Sequence, residues 1–403
     1  MKRNLLLLTA LFIVLTGAAK NVTENPDDTP QPIVTFVKVK HEPSWYARQA
    51  TLWRRATESN PRSETAWLNL YHATRYQILF TEGQEDYSPL ADIWKAAHKA
   101  LPDSYIDYVL TYFHAKFLGV RDIMPNADDN TREQILQNMV KAIRMKPDEV
   151  DLYPDYVACL MSTDDTELMN DILHRWYDSG TYSANLLNYA YNVMVGLEPR
   201  AIIFTNGDTD TFSKLILQGG KGLFTDVQVI CAPMLYSPFY LRTVCDRLGI
   251  DPIEPLSGTH TQADYDQWLD NTELQIIRST GRPAYYCATA ERLPSFADSL
   301  YSEGLVSRYS TRRYDNLAVK QRNYEKRYLL DYLSETFVPE TYEAAAYSLN
   351  LNYIPCFKSL LDWYKEHDKT RHKELYSLMM TILRRTENIT DEKRQSYYDE
   401  INR

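Results

Sequence analysis

Residues 201–231 set the narrowest limits on the fold. Ala201–Thr205 (AIIFT) is an unbroken apolar run, Asn206–Phe212 (NGDTDTF) is an acidic loop, a helical pattern follows to Gln218, and Asp226–Cys231 (DVQVIC) is a second run. Strand, loop, helix and strand in roughly thirty residues make a parallel pair joined by a crossover helix. The acidic loop then falls at the carboxyl end of the first strand, the edge at which open α/β sheets gather ligands.

The same alternation continues. Ser237–Leu248 reads as a helix closed by Gly249, Asp251–Thr261 as a loop, and Ala263–Thr280 as a helix. Pro283–Thr289 reads as a third strand and Gly304–Tyr309 as an edge strand. From about Asn316 the pattern is helical to the end. The basic stretch Arg308–Arg327 reads as a solvated helix face. These signals predict a small Rossmann-like parallel-sheet domain over 199–335, followed by C-terminal helices over 336–403.

Residues 45–198 carry a different period, helical throughout. Proline marks three junctions between one amphipathic helix and the next, at Pro61, Pro102 and Pro147. The helices that follow begin Ala66–Tyr71, Tyr105–Leu110 and Val150–Tyr156. That punctuation, with Trp67 and Leu70 in one helix and Ala96, Ala97 and Ala100 in another, resembles tetratricopeptide repeats. The proline spacings of 41 and 45 residues exceed the usual repeat of about 34, so the loops should be longer. The resemblance implies stacked helical hairpins with one continuous core and a face that binds a protein partner.

The N-terminus has the build of an export signal over residues 1–19. Lys2 and Arg3 precede the apolar run Leu5–Leu15, and Gly17, Ala18 and Ala19 suit signal peptidase. Cleavage after Ala19 would release a periplasmic chain; an uncleaved membrane anchor is the alternative. The mature chain should have no transmembrane segment. Residues 20–44 read as a polar tether ending in a short strand, Ile33–Val39. A net charge of −10 argues against a nucleic-acid partner. The 31 tyrosines and 7 tryptophans suit helix–helix packing with the hydroxyl or indole N–H as a polar handle. The five cysteines are scattered with no CxxC pair, so they give neither a zinc site nor a thioredoxin motif and read as small buried hydrophobes.

Chemistry concentrates in the acidic loop. Asn206, Gly207, Asp208, Thr209, Asp210 and Thr211 are the candidate ligand-binding positions, with His260 from a later loop. Asp208 and Asp210 can hold a divalent metal through oxygen ligands, and no other cofactor is expected. The plainer reading is that Asn206 and Gly207 make the turn while Thr209 or Asp210 caps the helix. An Asp-x-Asp after a strand also occurs in haloacid-dehalogenase-type phosphatases and nucleotide-sugar glycosyltransferases, but the first want the acid directly at the strand end. Gly219–Gly222 (GGKG) lacks the Ser/Thr and the upstream glycine of a P-loop.

Three segments together carry a second resemblance: Ile203–Phe212 running into Asp226–Ile230, then Arg282–Tyr286, then Glu303–Arg308. In this order they resemble the soluble C-terminal part of Bacteroidetes multispan protein O-mannosyltransferase-like membrane proteins, over about residues 200–335. The resemblance implies an envelope origin and a shared accessory domain. It does not imply transferase activity, which that family is expected to hold in its membrane part. The expected function is therefore a periplasmic protein-binding or assembly module linked to glycosylation or envelope biogenesis, rather than an enzyme. The alternative is a metal-dependent enzyme acting on a glycan or nucleotide-sugar at Asp208 and Asp210.

Overall fold

The computed structural model describes residues 29–36, 38–84, 86–117, 129–258, 260–289, 294–337 and 343–403. The export signal and most of the tether lie outside the described residues. Contacts divide the chain into one unit over 19–160 and another that takes in 161–403.

The first unit is helical. Its helices are α1 (Pro43–Ser59), α2 (Glu64–Phe80), α3 (Ser88–Ala100), α4 (Tyr105–Phe117), α5 (Asp129–Met145) and α6 (Tyr153–Leu160), and each packs on the next. The proline junctions are tied down by side chains. After Pro61, Ser63 caps α2 by accepting from the Ala66 N–H, and the Trp67 indole N–H reaches back to the Pro61 carbonyl at 2.9 Å. Between α4 and α6 the Tyr105 and Tyr156 hydroxyls meet at 2.8 Å, and the Tyr156 hydroxyl also donates to the Lys146 carbonyl. These two buried tyrosines pack and hydrogen-bond at once, the use the sequence suggested for this residue. The expected strand over Ile33–Val39 is corrected. The Thr35 carbonyl accepts from the N–H groups of Lys38 and Val39, which makes a turn, and the buried Ile33 gives its N–H to Asn69 Oδ1 on α2. With that N–H taken by a side chain, the described residues of this segment form no strand ladder.

The second unit opens with α7 (Thr166–Asp178) and α8 (Ala184–Val195). Then come β1 (Ile202–Thr205), α9 (Asp208–Lys221), β2 (Gln228–Cys231), α10 (Pro238–Leu248), α11 (Gln262–Thr280) and β3 (Ala284–Cys287). The hairpin β4 (Leu300–Ser302) and β5 (Val306–Tyr309) follows, and then α12 (Asn316–Lys326), α13 (Glu343–Asn350), α14 (Tyr353–His367), α15 (Lys369–Arg385) and α16 (Asp391–Asn402). The sheet order is β2-β1-β3-β5-β4. β1 lies parallel to both β2 and β3, with Phe204 opposite Ile230 and Tyr286. β5 runs antiparallel between β3 and β4.

Several expectations change here. The sheet is mixed rather than wholly parallel, and the Gly304–Tyr309 segment is an inner strand; β4 is the edge. Gly304 makes the reversal at φ 120°, where a Cβ would also strike the Tyr328 hydroxyl at 2.7 Å. The division of the chain also falls at Leu160/Met161 rather than at 198/199. Tyr189, Val193 and Met194 of α8 share one core with Ile203, Tyr285 and Val306 of the sheet and with Phe357, Leu361, Met379 and Leu383 of α14 and α15. A sheet needs helical cover to bury its faces. Here that cover comes from helices placed before and after the strands in sequence, so 335/336 does not divide the core either. α7 joins through Gly219 and Gly220 of α9, where added Cβ atoms would stand 2.6 Å from Leu173 and 2.4 Å from Tyr177. The glycine cluster that fails as a P-loop is a close helix crossing.

Candidate functional site

The acidic loop lies where the sequence places it, at the carboxyl end of β1. Gly207 has φ 104° and ψ −171°, a conformation open in practice to glycine alone, and α9 begins at the next residue. No side chain caps that helix from Gly207. Asp210 instead turns inward and is 3% exposed. Its Oδ2 accepts the Asn206 N–H at 2.9 Å and the Thr289 hydroxyl at 2.7 Å. Its Oδ1 takes the Lys214 ammonium at 2.5 Å, and Lys214 also donates to the Asp210 carbonyl at 2.7 Å. The expected helix cap is therefore corrected: Asp210 binds back to the loop, to the segment after β3 and to a lysine one turn on.

Electrostatics fit an ionised pair. Burial pushes the Asp210 carboxyl up, but the Lys214 ammonium and the donors from Asn206 and Thr289 outweigh it and hold the group below the usual carboxylate range. Burial likewise pulls Lys214 down, and Asp210 more than restores it, to above the ordinary lysine value. The carboxylate also sits in the first turn of α9, where the helix dipole favours negative charge. Thr211 completes the frame. Its hydroxyl meets that of Thr205 at 2.6 Å, and Thr205 reaches the Ile230 carbonyl of β2 at 3.2 Å. The Asn206 amide donates to the Thr289 carbonyl. The loop thus laces together the ends of β2, β1 and β3. It works as a rigid brace whose carboxylate is already engaged.

The remaining candidates separate. The Thr209 carbonyl accepts from the Tyr182 and Ser213 hydroxyls. Asp208 is exposed, and its charge is felt at Cys231, whose thiol burial pushes up to about 11. His260 is held by its own neighbours: Nδ1 is 3.1 Å from the Gly258 carbonyl and the ring centroid is 5.5 Å from that of Tyr236. Among the described residues no group of three or more His, Cys, Asp or Glu side chains gathers as metal ligands. Lys214 and Thr289 escaped the sequence reading. A lysine four residues after an acid on an otherwise apolar helix face was the signal for Lys214; Thr289 carried none.

A family model described as TMEM260-associated domain 2 matches residues 186–366. The match begins inside α8 and ends inside α14, so it takes in the sheet with helical cover from both sides of it in sequence. All three segments that carried the second resemblance lie within it, and β1, β3 and β5 bring them into one sheet. This part of the chain is similar to a domain associated with TMEM260. No curated protein matches the chain. Among the described residues no helix is long and apolar enough to cross a membrane.

Proposed function

We propose that this chain is an exported binding and assembly module of a Bacteroidetes-type cell envelope, working in the periplasm beside protein glycosylation or envelope biogenesis. The observation that carries the reading is the match of residues 186–366 to a domain described by its association with TMEM260. A domain of that description goes with a membrane-protein partner. The helical hairpins of 19–160 supply a second surface of the kind that repeat proteins use to hold proteins. The acidic loop supports a module over an enzyme. Asp210, the buried carboxylate of the loop, is fixed by three donor groups and is not available to act as a base.

Affinity purification of the tagged full chain from its native envelope tests the proposal. A discrete envelope membrane protein should co-purify, and the mature chain should begin at Lys20. Recovery of the chain alone, from the cytoplasmic fraction and with Met1 intact, would overturn it.

A further inference from the structure

Lys320 is an oddity in this fold. It lies within the basic stretch read as a solvated face, yet it is 4% exposed, between α12 and α14. Its Nζ donates to the Ser359 hydroxyl at 2.9 Å. Ser359 itself stands on the exposed side of α14. Every other fully or mostly buried ammonium would seek a carboxylate, as Lys214 does. Here the partner is a neutral hydroxyl that solvent can reach.

We propose that Ser359 and Lys320 form an acyl-acceptor pair, in which Ser359 is the nucleophile toward activated acyl donors such as thioesters or aryl esters and Lys320 is its base. The site is independent of the envelope reading above. Burial lowers the Lys320 ammonium below the ordinary lysine value, and the Cys356 thiol of α14 pulls weakly the other way. Glu400 of α16 faces that thiol in turn. Uncharged, Nζ accepts the Ser359 proton as Oγ attacks the acyl carbon. The Oγ–C bond forms, the bond from carbon to the leaving thiolate or aryloxide breaks, and the proton passes from Nζ to the leaving group. A nucleophile within hydrogen-bond reach of a base is the geometry this chemistry needs. Ser359 lies inside a helix whose N–H groups are spent on helix bonds, so they do not stabilise an oxyanion and the assistance comes from Lys320. The expected product is a serine ester.

The test is labelling of the full chain with p-nitrophenyl acetate or a fluorophosphonate, read by peptide mass spectrometry. Exposed Ser396 of α16 gives the background rate. Ser359 should be modified at least about 100-fold faster than Ser396, the usual scale of general-base assistance. The modification should vanish in Ser359→Ala and fall to near background in Lys320→Met. Lys320→Arg keeps the charge but cannot release its proton, so it should also fall to background. It covers the case in which Lys320→Met does not fold. A Ser359 rate equal to that of Ser396, or undiminished in the lysine variants, overturns the proposal.

Discussion

Each unit of the protein holds a lysine–aspartate pair across helical backbone, and the two are built in opposite ways. In the first unit Lys116 of α4 meets Asp155 of α6 at 3.0 Å, with the two side chains 30% and 18% exposed. In the second, Lys214 and Asp210 share one turn of α9 at 2.5 Å, with exposures of 0% and 3%. The first pair is half-buried and water still reaches it, so part of its attraction is screened and its ions cost less to bring together. The second pair has left water altogether. Its desolvation is offset only while both charges and the Asn206 and Thr289 donors stay in place. A half-buried pair that water still reaches costs less to lose; a dry one holds its whole neighbourhood to account.

That contrast predicts the largest effect. Lys214→Met strands a buried carboxylate and should destabilise the chain by about 3–5 kcal/mol. Lys116→Met, where water still reaches both partners, should cost clearly less. Asp210→Asn combined with Lys214→Met should recover much of the loss, because no unpaired charge remains. Urea melts of the three variants check this; equal costs for Lys116→Met and Lys214→Met would erase the distinction.

A second difference lies in what the first unit buries without charge. His72 of α2 and His114 of α4 both have Nδ1 shut off from solvent with no hydrogen-bond partner. Burial, helped by Arg75, lowers the His72 imidazole to about 4. The sign follows from linkage. As pH falls below about 6.5 the unfolded histidine takes a proton that the folded one refuses until about 4. Stability should therefore drop through that window and stay level above it. The Asp210–Lys214 pair moves differently. Its contribution, from a carboxyl held below its ordinary range, persists in mild acid and is lost only as pH falls through that lowered value. Since His72 is only half-buried as a whole residue, the drop should be on the order of 1–2 kcal/mol, and His72→Gln should flatten it. Thermal melts from pH 7.5 to 4.5 measure it, and an unchanged slope in His72→Gln would show that another group is responsible.

Much of the architecture was legible. The β1–α9–β2 unit follows from period alone, and Gly249 and Gly281 close α10 and α11 in the left-handed conformation as helix-ending glycines do. What stayed hidden depends on distance in sequence. The three-residue strand β4 is too short to carry a period. That α8 covers the sheet while α6 belongs elsewhere is settled by packing partners more than a hundred residues away, such as the bond from Asn192 to the Leu329 carbonyl. At the loop, the turn at Asn206 and Gly207 was readable because φ above zero demands glycine. The burial of Asp210 was not, because it rests on Lys214 and on Thr289, 79 residues further along.

The smallest expected effect concerns metal. A divalent ion at Asp210 would have to displace the Lys214 ammonium and the Thr289 and Asn206 donors, which leaves exposed Asp208 as the accessible carboxylate. One exposed carboxylate binds such ions weakly, since tight sites gather six or more oxygens. Millimolar Mg²⁺, Mn²⁺ or Ca²⁺ should thus shift the melting temperature of the wild type no more than that of Asp208→Asn, and a chelator should change neither. The experiment has the power to decide. Ligand at a hundredfold excess over its dissociation constant adds about 2.7 kcal/mol, which is several degrees in a protein of this size. A rise of that order in the wild type, absent from Asp208→Asn, would mean that the loop opens to admit metal. The metal-dependent enzyme acting on a glycan or nucleotide-sugar would then replace the binding module as the function of this edge.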